Sequence, residues 1–305
     1  MSNNEPVVSI CCITFKHENY IRECLDGFIM QKTTFPFEVI VHDDASPDKT
    51  ADIIREYEAK YPDIIKPIYQ TENQYSKGVK ISFEYVYPKI RGKYIAFCEG
   101  DDFWTSPDKL QMQYDFMEAN PDYSLCMHGR YILDCYSRFF IEEPLTKDFP
   151  EKGIDFAYRV AMGESLFTTQ TMFIRKSAFD SKLEDIYRDS KDAPMSDLQK
   201  AFHLALAGNV KQIPRHMAVY RRAAGSVTNG KSGYRRDFAK RAHAAIDKML
   251  ENSGFPEWIK DRAKSQIRMK IYYLCLYLLL PLKVCCLHPK YFKARRKYNE
   301  YMKNS

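Results

Sequence analysis

The chain has 305 residues, of which 45% are apolar and 28% charged, and its net charge is +6. This length suffices for one large domain or two smaller ones, and the composition is that of a folded globular protein. An aromatic content of 14% excludes a disordered chain, and 12 glycines without a short repeat exclude collagen-like and solenoid architectures. The positive charge indicates an anionic partner.

The first third of the chain alternates between strand and helix patterns. We predict strands at 7–14, 37–42, 64–69 and 93–98, and helices at 19–31, 51–61 and 109–119. This alternation is typical of an α/β fold with a Rossmann-like, mostly parallel sheet between helices. Ser-Pro-Asp triplets at 46–48 and 106–108 predict a serine N-cap with proline at the first helical position.

The rest of the chain predicts fewer strands. Strand patterns occur at 124–136, 168–174, 210–213 and 217–220, and an amphipathic helix is predicted at 196–207. From about residue 234 only helical periods are found. We therefore predict one α/β domain over 1–232, divided near residue 130, followed by a helical C-terminal extension over 233–305.

Two pairs of acidic residues follow predicted strands. These are Asp43-Asp44 and Asp101-Asp102, and Glu99 lies close to the second pair. Ligands of open parallel sheets bind at the carboxyl ends of the strands, where both pairs are expected. Clustered carboxylates repel one another unless a cation lies among them, and Mg²⁺ or Mn²⁺ bound to one or two carboxylates and substrate phosphate meets that need. The alternative is an acidic turn before a helix.

Three segments together resemble the family 2 glycosyltransferases of GT-A fold. They are VSICCITF (8–15), EVIVHDDAS (38–46) and GKYIAFCEGDD (92–102), and their order and spacing match over about the first 130 residues. The likeness continues more weakly to about residue 232 and is nearest to bacterial enzymes of capsule, O-antigen or related surface glycans. Glu99 departs from the Asp-x-Asp pattern that the family often has.

The resemblance implies that 1–232 is the catalytic domain, with a nucleotide-binding half (1–130) and an acceptor half (131–232). It also implies a role for each matching residue. Asp102 would bind the metal, Mn²⁺ or Mg²⁺. The nucleotide would contact residues of the matching segments and of the loop after the third strand: Thr14, Phe15, Asp43, Asp44, Asn73, Lys80 and Asp101. Near the donor diphosphate the resemblance implies Arg222 and Ser226, although Ala223 and Ala224 stand where the family often has a histidine.

The catalytic base of an inverting transferase must accept the proton of the acceptor hydroxyl. Asp197 resembles the acidic residue that the family has at the start of a helix after the mixed strands. The alternative is structural, because Ser196 and Gln199 match a capping box and an acid in the first turn suits the helix dipole.

A second motif points to another class of protein. Residues 225–232, GSVTNGKS, match the P-loop pattern of NTPases and kinases. No strand pattern follows to complete a P-loop sheet, so a loop near the donor is the preferred interpretation. Lys231→Ala would abolish ATP hydrolysis in the P-loop alternative, and Asp102→Ala would abolish sugar transfer in ours. A third alternative is a binding module that kept the fold without activity.

The cysteines, the N-terminal residues and the C-terminal apolar run indicate where in the cell the protein is expected. Nine cysteines without a CxxC pair, mostly in apolar runs, predict buried reduced thiols, and residues 1–6 lack a signal-peptide pattern, so we expect a cytoplasmic protein. The apolar run at 271–282 is too short to span a bilayer. Its basic flanks suit an interfacial helix on anionic lipid at the inner membrane face, and packing on the catalytic domain is the alternative.

The excess positive charge lies in one segment. Residues 260–305 contain twelve Lys or Arg against two acidic residues, a net +10, which leaves −4 for the rest. A mildly acidic catalytic part needs a cation to meet an anionic donor, and the basic tail favours a membrane surface or acidic glycan over nucleic acid. The expected reaction transfers a sugar from a nucleotide-sugar, for which UDP is commonest in the family, to a glycan or lipid-linked acceptor.

Overall fold

The structure is a computed structural model that describes residues 5–135, 139–161, 164, 166–193, 196–222, 241, 244–257 and 260–261. The chain separates into two compact units. The first contains residues up to 156 together with 167–184 and 203–224, and the second contains 157–166, 185–202 and the described residues from 241 onward.

Nine strands and six α-helices have defined bounds among the described residues, and residues 244–251 are also helical. The strands are β1 (Val8–Thr14), β2 (Phe37–Asp43), β3 (Ile65–Tyr69), β4 (Tyr94–Phe97), β5 (Phe103–Trp104), β6 (Tyr123–Asp134), β7 (Phe139–Glu142), β8 (Phe173–Arg175) and β9 (Asn209–Arg222). The helices are α1 (Ile21–Ile29), α2 (Thr50–Lys60), α3 (Lys109–Ala119), α4 (Gly153–Ala161), α5 (Lys176–Ser190) and α6 (Asp197–Ala207).

The described strands form one mixed sheet in the order β3-β2-β1-β4-β8-β6-β9-β5, and β7 pairs with β6. The first four strands along this order are parallel, as the alternating pattern predicted. The β1–β2 register runs from Val8 opposite Phe37 to Thr14 opposite Asp43. Both strands therefore end at the same edge, which places the first acidic pair there.

Strand β1 and helix α1 contribute side chains to the same core. Val8, Ile10 and Cys12 alternate on one face of β1 and are fully buried. On α1, Ile21, Cys24, Leu25 and Phe28 recur at helical spacing and are also fully buried. Such a stripe stabilises the helix mainly through burial of apolar surface.

Trp104 on the short strand β5 packs against α1. Its ring meets Phe28 edge-to-face with centroids 4.9 Å apart. A Cβ at Gly27 would lie 3.0 Å from the main-chain nitrogen and oxygen of Trp104, so glycine permits this close approach. The indole Nε1 donates to the Gln170 carbonyl at 3.0 Å, which satisfies the polar atom of an almost fully buried side chain.

In the second unit, a buried carboxylate joins two helical segments. Asp189 is 1% exposed and accepts hydrogen bonds from Arg188 and from Asn252. In the same unit, Phe202 and Phe255 make an edge-to-face contact with centroids 5.7 Å apart. The first set of contacts satisfies a buried charge, and the second buries aromatic surface.

The two predicted serine N-caps are wrong. Helix α2 begins at Thr50, and Ser46 accepts instead from the main-chain nitrogen of Lys16. Helix α3 begins at Lys109 after Asp108, and the Ser106 hydroxyl is buried without a hydrogen-bond partner among the described residues. In both triplets the serine lies outside the helix, because residues 47–49 separate Ser46 from α2 and residues 107–108 separate Ser106 from α3.

Other differences concern the second half. Helices α4 and α5 were not predicted, nor were strands β5 and β7. The two short strands predicted at 210–213 and 217–220 are parts of one irregular strand, β9, whose pairing with β6 shifts register near Gly129. The apolar run at 271–282 lies outside the described residues, and within the described part no helix is long and apolar enough to cross a membrane.

Five of the six described cysteines are buried, which agrees with the prediction of buried thiols. They are Cys11, Cys12, Cys24, Cys98 and Cys126. Cys135 is exposed. Burial raises the pKa of Cys98 and of Cys126 to about 12, so these thiols are unreactive at neutral pH.

A lysine lies in the core of the first unit. Lys109 is fully buried, and its Nζ donates to Gln113 Oε1 at 2.7 Å and lies 3.9 Å from the centroid of the Trp104 ring. Burial lowers the pKa of Lys109 to about 7, against weak opposing effects of Cys98 and Cys126. The amine therefore costs stability wherever it is charged.

We expect Lys109→Met to raise the unfolding temperature, most strongly near pH 7 and below. The pKa of Lys109 is about 7 in the folded chain and near its ordinary 10.5 when unfolded. Between these values the unfolded chain binds more protons, so wild-type stability rises with pH by up to ~1.4 kcal/mol per unit. Thermal unfolding followed by circular dichroism from pH 6 to 10 should show the gap between variant and wild type shrinking.

The nearby ionisable groups that can bend this curve are Cys98, Cys126 and His128, of which His128 is fully buried with its pKa well below the usual value. They are present in both proteins, so the difference between the two curves isolates Lys109. A gap that stayed constant across this range would contradict a neutral buried amine.

Candidate active site

Two acidic pairs meet at one edge of the sheet. The main-chain nitrogen of Asp44 donates to the Thr14 carbonyl at 3.1 Å, and that of Gly100 donates to the Ile13 carbonyl at 3.0 Å. The loops after β2 and β4 are thus both bonded to the end of β1. Asp43-Asp44 and Asp101-Asp102 are therefore neighbours, as predicted from the carboxyl ends of parallel strands.

Asp44 uses both carboxylate oxygens to hold the following loop. Oδ1 accepts the main-chain N–H of Gln74 at 2.8 Å, and Oδ2 accepts that of Tyr75 at 3.0 Å. The residue is 1% exposed. A buried carboxylate with both oxygens bonded to N–H groups supports the backbone of the loop.

Asp43 keeps one oxygen for another partner. Oδ2 accepts the main-chain N–H of Ser46 at 3.1 Å, whereas Oδ1 is buried with no hydrogen-bond partner among the described residues. An unpartnered buried carboxylate oxygen is rare and needs a donor. Of the first acidic pair, Asp43 is thus the residue able to bind a ligand N–H or O–H.

The loop at 70–80 is organised by its own polar groups. Asn73 Nδ2 donates to the Asp44 carbonyl at 3.2 Å, and its Oδ1 accepts the N–H of Ser76 at 2.7 Å. Lys80 is half-buried, and its carbonyl accepts the N–H groups of Phe83 and Glu84. The structure places Asn73 beside Asp44, where it supports the same loop.

Thr14 and Phe15 lie at the end of β1 and just beyond it. Thr14 is 1% exposed, and its Oγ1 is 3.1 Å from Nδ1 of His17. A Cβ at Gly100 would lie 2.6 Å from Thr14 Oγ1 and 2.9 Å from His17 Nδ1, so only glycine fits here. Phe15 is half-buried beneath the Lys16 ammonium, 5.0 Å from its ring centroid.

His17 was not among the predicted site residues. Its main-chain nitrogen donates to Thr50 Oγ1 at 2.9 Å, and the ring is held by Thr14. Burial lowers the pKa of His17, and the carboxylates of Asp101 and Asp48 oppose that shift. The ring is therefore an uncharged polar group close to the second acidic pair.

Asp102 is held by the main chain of β9. Its carboxylate is 2% exposed, and Oδ1 accepts the main-chain N–H of Arg221 at 2.7 Å. Oδ2 makes no hydrogen bond within the described part of the chain. Burial, and then the charges of Asp101 and Glu99, raise the pKa of Asp102 well above its usual range.

The side chain of Arg221 is the cation beside these carboxylates. Nη1 donates to the Asp101 carbonyl at 2.7 Å, and Nη2 pairs with Glu23 of α1. The guanidinium lies between the rings of Tyr20 and Phe103, 5.0 and 4.6 Å from their centroids. It is 4% exposed, so this stacking and pairing take place away from bulk water.

Arg221 was missed because the sequence argument selected its neighbour. Arg222 is the next residue on β9 and is exposed. Side chains of adjacent strand residues point to opposite faces, and Arg221 alternates with the buried Val219. That alternation is the signal that favours Arg221. Ser226 and the whole P-loop-like segment at 225–232 lie outside the described residues.

The second acidic pair fits a divalent cation that shares its ligands with a substrate. The open oxygen of Asp102 lies close to the negative charges of Asp101 and Glu99. Carboxylate oxygens are hard, negatively charged ligands of the kind that Mg²⁺ prefers. Among the described residues no group of three His, Cys, Asp or Glu side chains forms a preformed metal cage. Substrate oxygens would have to complete the coordination sphere, as is usual for Mg²⁺.

Asp197 begins helix α6 in the second unit. Its Oδ1 accepts the main-chain N–H of Leu198 at 2.9 Å, so the carboxylate lies at the positive end of the helix. Gln199 Oε1 is buried with no hydrogen-bond partner in the described part of the chain, so the reciprocal bond of a capping box is not formed there. This removes part of the structural alternative for Asp197 and leaves its catalytic role a prediction.

Comparison with known proteins identifies the fold and the family. The family model described as "Glycosyl transferase family 2" matches residues 9–183, more than half of the chain. The chain belongs to glycosyl transferase family 2. This glycosyltransferase is 33% identical over 252 residues to an uncharacterized protein of Mycobacterium tuberculosis, Rv1520, with 80% of this chain and 68% of that protein covered.

The glycosyltransferase also resembles TuaG of Bacillus subtilis, a putative teichuronic acid biosynthesis glycosyltransferase. The two are 32% identical over 117 residues, which cover 38% of this chain and 44% of TuaG. This relationship, limited to part of each chain, supports the predicted likeness to enzymes of bacterial surface glycans.

Two solved structures confirm the predicted GT-A fold. One is residues 1–349 of Staphylococcus aureus TarS with UDP-GlcNAc, at TM-score 0.66 and 18% identity, covering 94% of this chain and 79% of TarS 1–349. The other is the mannosyltransferase PcManGT of Pyrobaculum calidifontis with GDP-Man and Mn²⁺, at TM-score 0.57 and 17% identity. This match covers 97% of this chain and 84% of the PcManGT chain.

Because Asp43 and Asp44 make different hydrogen bonds, we expect Asp44→Asn to change mainly stability and Asp43→Asn to change mainly nucleotide affinity. Asp44→Asn replaces one acceptor by an NH₂ group facing a main-chain N–H, so we expect a lower free energy of unfolding by about 1–3 kcal/mol. Asp43→Asn can still accept from Ser46, so we expect unchanged stability and at least tenfold weaker nucleotide binding.

Urea unfolding and calorimetric titration with UDP and GDP separate the two effects. Each variant is the matched control for the other, because both remove one carboxylate charge from the same loop. If Asp44→Asn left stability unchanged, or if Asp43→Asn were the less stable protein, the division of roles would be wrong.

Proposed function

We propose that this glycosyltransferase is a metal-dependent inverting enzyme that uses a nucleotide-sugar, with UDP as the nucleotide. The observation that carries the proposal is the pair of open carboxylate oxygens at one sheet edge, Asp43 Oδ1 and Asp102 Oδ2. The first suits a donor group on the base or ribose, and the second suits a cation that bridges to phosphate. A nucleoside diphosphate carries both kinds of partner.

The structural neighbours support this donor class. TarS was crystallised with UDP-GlcNAc and PcManGT with GDP-Man and Mn²⁺. Both ligands are nucleotide-sugars joined through a diphosphate. UDP is our choice because it is the commonest donor nucleotide in the family that the chain belongs to.

In the proposed reaction, Asp197 accepts the proton of the acceptor hydroxyl. The acceptor oxygen then forms a bond to the anomeric carbon, and the bond from that carbon to the diphosphate oxygen breaks with its electron pair. The configuration inverts because this is a single displacement. The nucleoside diphosphate departs with the additional negative charge.

The leaving group needs stabilisation in a site that is already acidic. Asp102 would hold Mn²⁺ or Mg²⁺, which supplies positive charge to the diphosphate oxygens when bound, and Asp101 would contact the ribose or diphosphate. The role of Arg221 is to hold Asp102 through its main-chain N–H and to offset part of the carboxylate charge through its guanidinium. Arg222 and Ser226 remain proposed contacts of the diphosphate.

The acceptor we propose is a glycan or lipid-linked glycan of a bacterial surface polysaccharide. The partial similarity to TuaG supports this class. The net charge of +10 on residues 260–305 supports peripheral contact with the anionic inner face of the membrane. Such contact would bring the enzyme to a lipid-linked acceptor from the cytoplasmic side.

A thermal-shift screen of nucleotide-sugars with and without Mn²⁺ tests the donor site. We expect a UDP-sugar to raise the unfolding temperature by several degrees, more with Mn²⁺ than without, because ligand binding to the folded state stabilises it. Asp102→Ala should lose the metal-dependent part, and Asp197→Asn should keep full binding while losing transfer. If no nucleotide-sugar stabilised the wild type, the donor site would be wrong.

A further inference from the structure

A closed set of contacts surrounds the buried lysine of the first unit. Lys109 Nζ faces the Trp104 ring, and the Trp104 indole donates to the Gln170 carbonyl. The next residue, Thr171, accepts from Gln113 Nε2 at 3.1 Å, and Gln113 Oε1 accepts from Lys109 at 2.7 Å. We call these five residues the buried circuit.

Lys109 and two main-chain carbonyls together fix the orientation of Gln113 within the buried circuit. The amide oxygen of Gln113 accepts from Lys109 Nζ at 2.7 Å, and the amide nitrogen, which can only donate, faces the opposite way. That nitrogen donates to the Cys126 carbonyl at 3.2 Å as well as to Thr171. Gln113 thereby bonds α3 to β6 and to the turn at Thr169–Thr171, and Lys109 satisfies the amide oxygen on its other side.

The buried circuit lies directly beside the metal-binding residue of the proposed site. Trp104 is two residues after Asp102 and pairs with Ala218 of β9, and the N–H of Thr105 donates to the Met217 carbonyl at 3.0 Å. Further along β9, Arg221 provides the N–H that holds Asp102. Movement of Trp104 would therefore change the spacing between Asp102 and Arg221.

Stability alone does not explain a lysine here. A methionine has a similar length and would fill the same volume without placing an amine in the core, and replacement of buried polar groups by apolar ones of similar shape is often neutral or stabilising. The amine differs from methionine in the directed hydrogen bond to Gln113 and the contact with the Trp104 ring face.

We propose that Lys109 is a positioning residue that, through Trp104 and Gln113, holds Asp102 in hydrogen-bonding distance of the Arg221 main chain. This inference concerns the geometry of Asp102, and its consequence for metal binding rests on the proposed function. It assigns the core lysine to the active site although the side chain contacts no substrate.

Hydrogen exchange at the Arg221 amide tests the proposal without any ligand. Lys109→Met is compared with wild type and with Lys93→Met, which removes a lysine that is likewise near an aromatic ring but exposed on the surface. We expect the Arg221 amide to exchange at least tenfold faster in Lys109→Met, although that protein unfolds at a higher temperature. Lys93→Met should match the wild type.

Faster exchange of the Arg221 amide together with a higher unfolding temperature distinguishes a positioning role of Lys109 from a purely stabilising one. If Lys109 served stability alone, Arg221 protection would follow the unfolding temperature, so unchanged or slower exchange in Lys109→Met would overturn the proposal. Gln113→Met breaks the buried circuit at another point and is expected to speed exchange of the same amide. If Lys109→Met did not fold, normal Arg221 exchange in a folded Gln113→Met would equally overturn the proposal.

A second measurement links the geometry to function. Titration with UDP alone should give the same affinity in wild type and Lys109→Met, whereas Mn²⁺ affinity at saturating UDP, followed by electron paramagnetic resonance, should fall about tenfold in the variant. Faster exchange with no Mn²⁺–UDP binding even in wild type would contradict the proposed function and leave the positioning role supported. Binding of Mn²⁺–UDP equally by both proteins would contradict the functional consequence.

Discussion

The contact between the end of β9 and the acidic loop after β4 determines the geometry of this site. Burial, and then the charges of the nearby Asp101 and Glu99, raise the pKa of Asp102. The Arg221 N–H binds one oxygen of Asp102, and its guanidinium binds the loop carbonyl. Without this contact, the loop would carry a buried carboxylate with no donor, which is strongly destabilising. The contact at Oδ1 therefore positions the carboxylate of Asp102, and Oδ2 stays open among the described residues.

The same division of roles occurs in the loop after β2. Asp44 holds the loop at 70–80 with both oxygens, and Asp43 has one buried oxygen without a hydrogen-bond partner among the described residues. In each acidic pair the sheet edge therefore presents one buried carboxylate with an open oxygen. Such preorganisation is what a transferase needs, because the energy of orienting its polar groups is spent during folding and not during the reaction.

Much of the first half could be predicted from the sequence, because apolar alternation and acidic pairs at strand ends are local signals. The contacts of Arg221 with Asp102 and Glu23 join residues 119 and 198 positions apart and leave no local pattern. For the same reason Ser46, which looks like a helix cap, binds the loop after β1 instead. The sequence thus predicts which edge carries the site, and long-range contacts determine which side chains complete it.

The most direct test of this account is anomalous diffraction at the manganese edge from crystals grown with UDP and Mn²⁺. The account predicts a single strong peak within bonding distance of Asp102 Oδ2 and of the diphosphate, with the Arg221 N–H still on Oδ1 and a nucleoside donor group on Asp43. Bound UDP with no manganese at Asp102, or an Arg221 N–H displaced from it, would contradict the central claim.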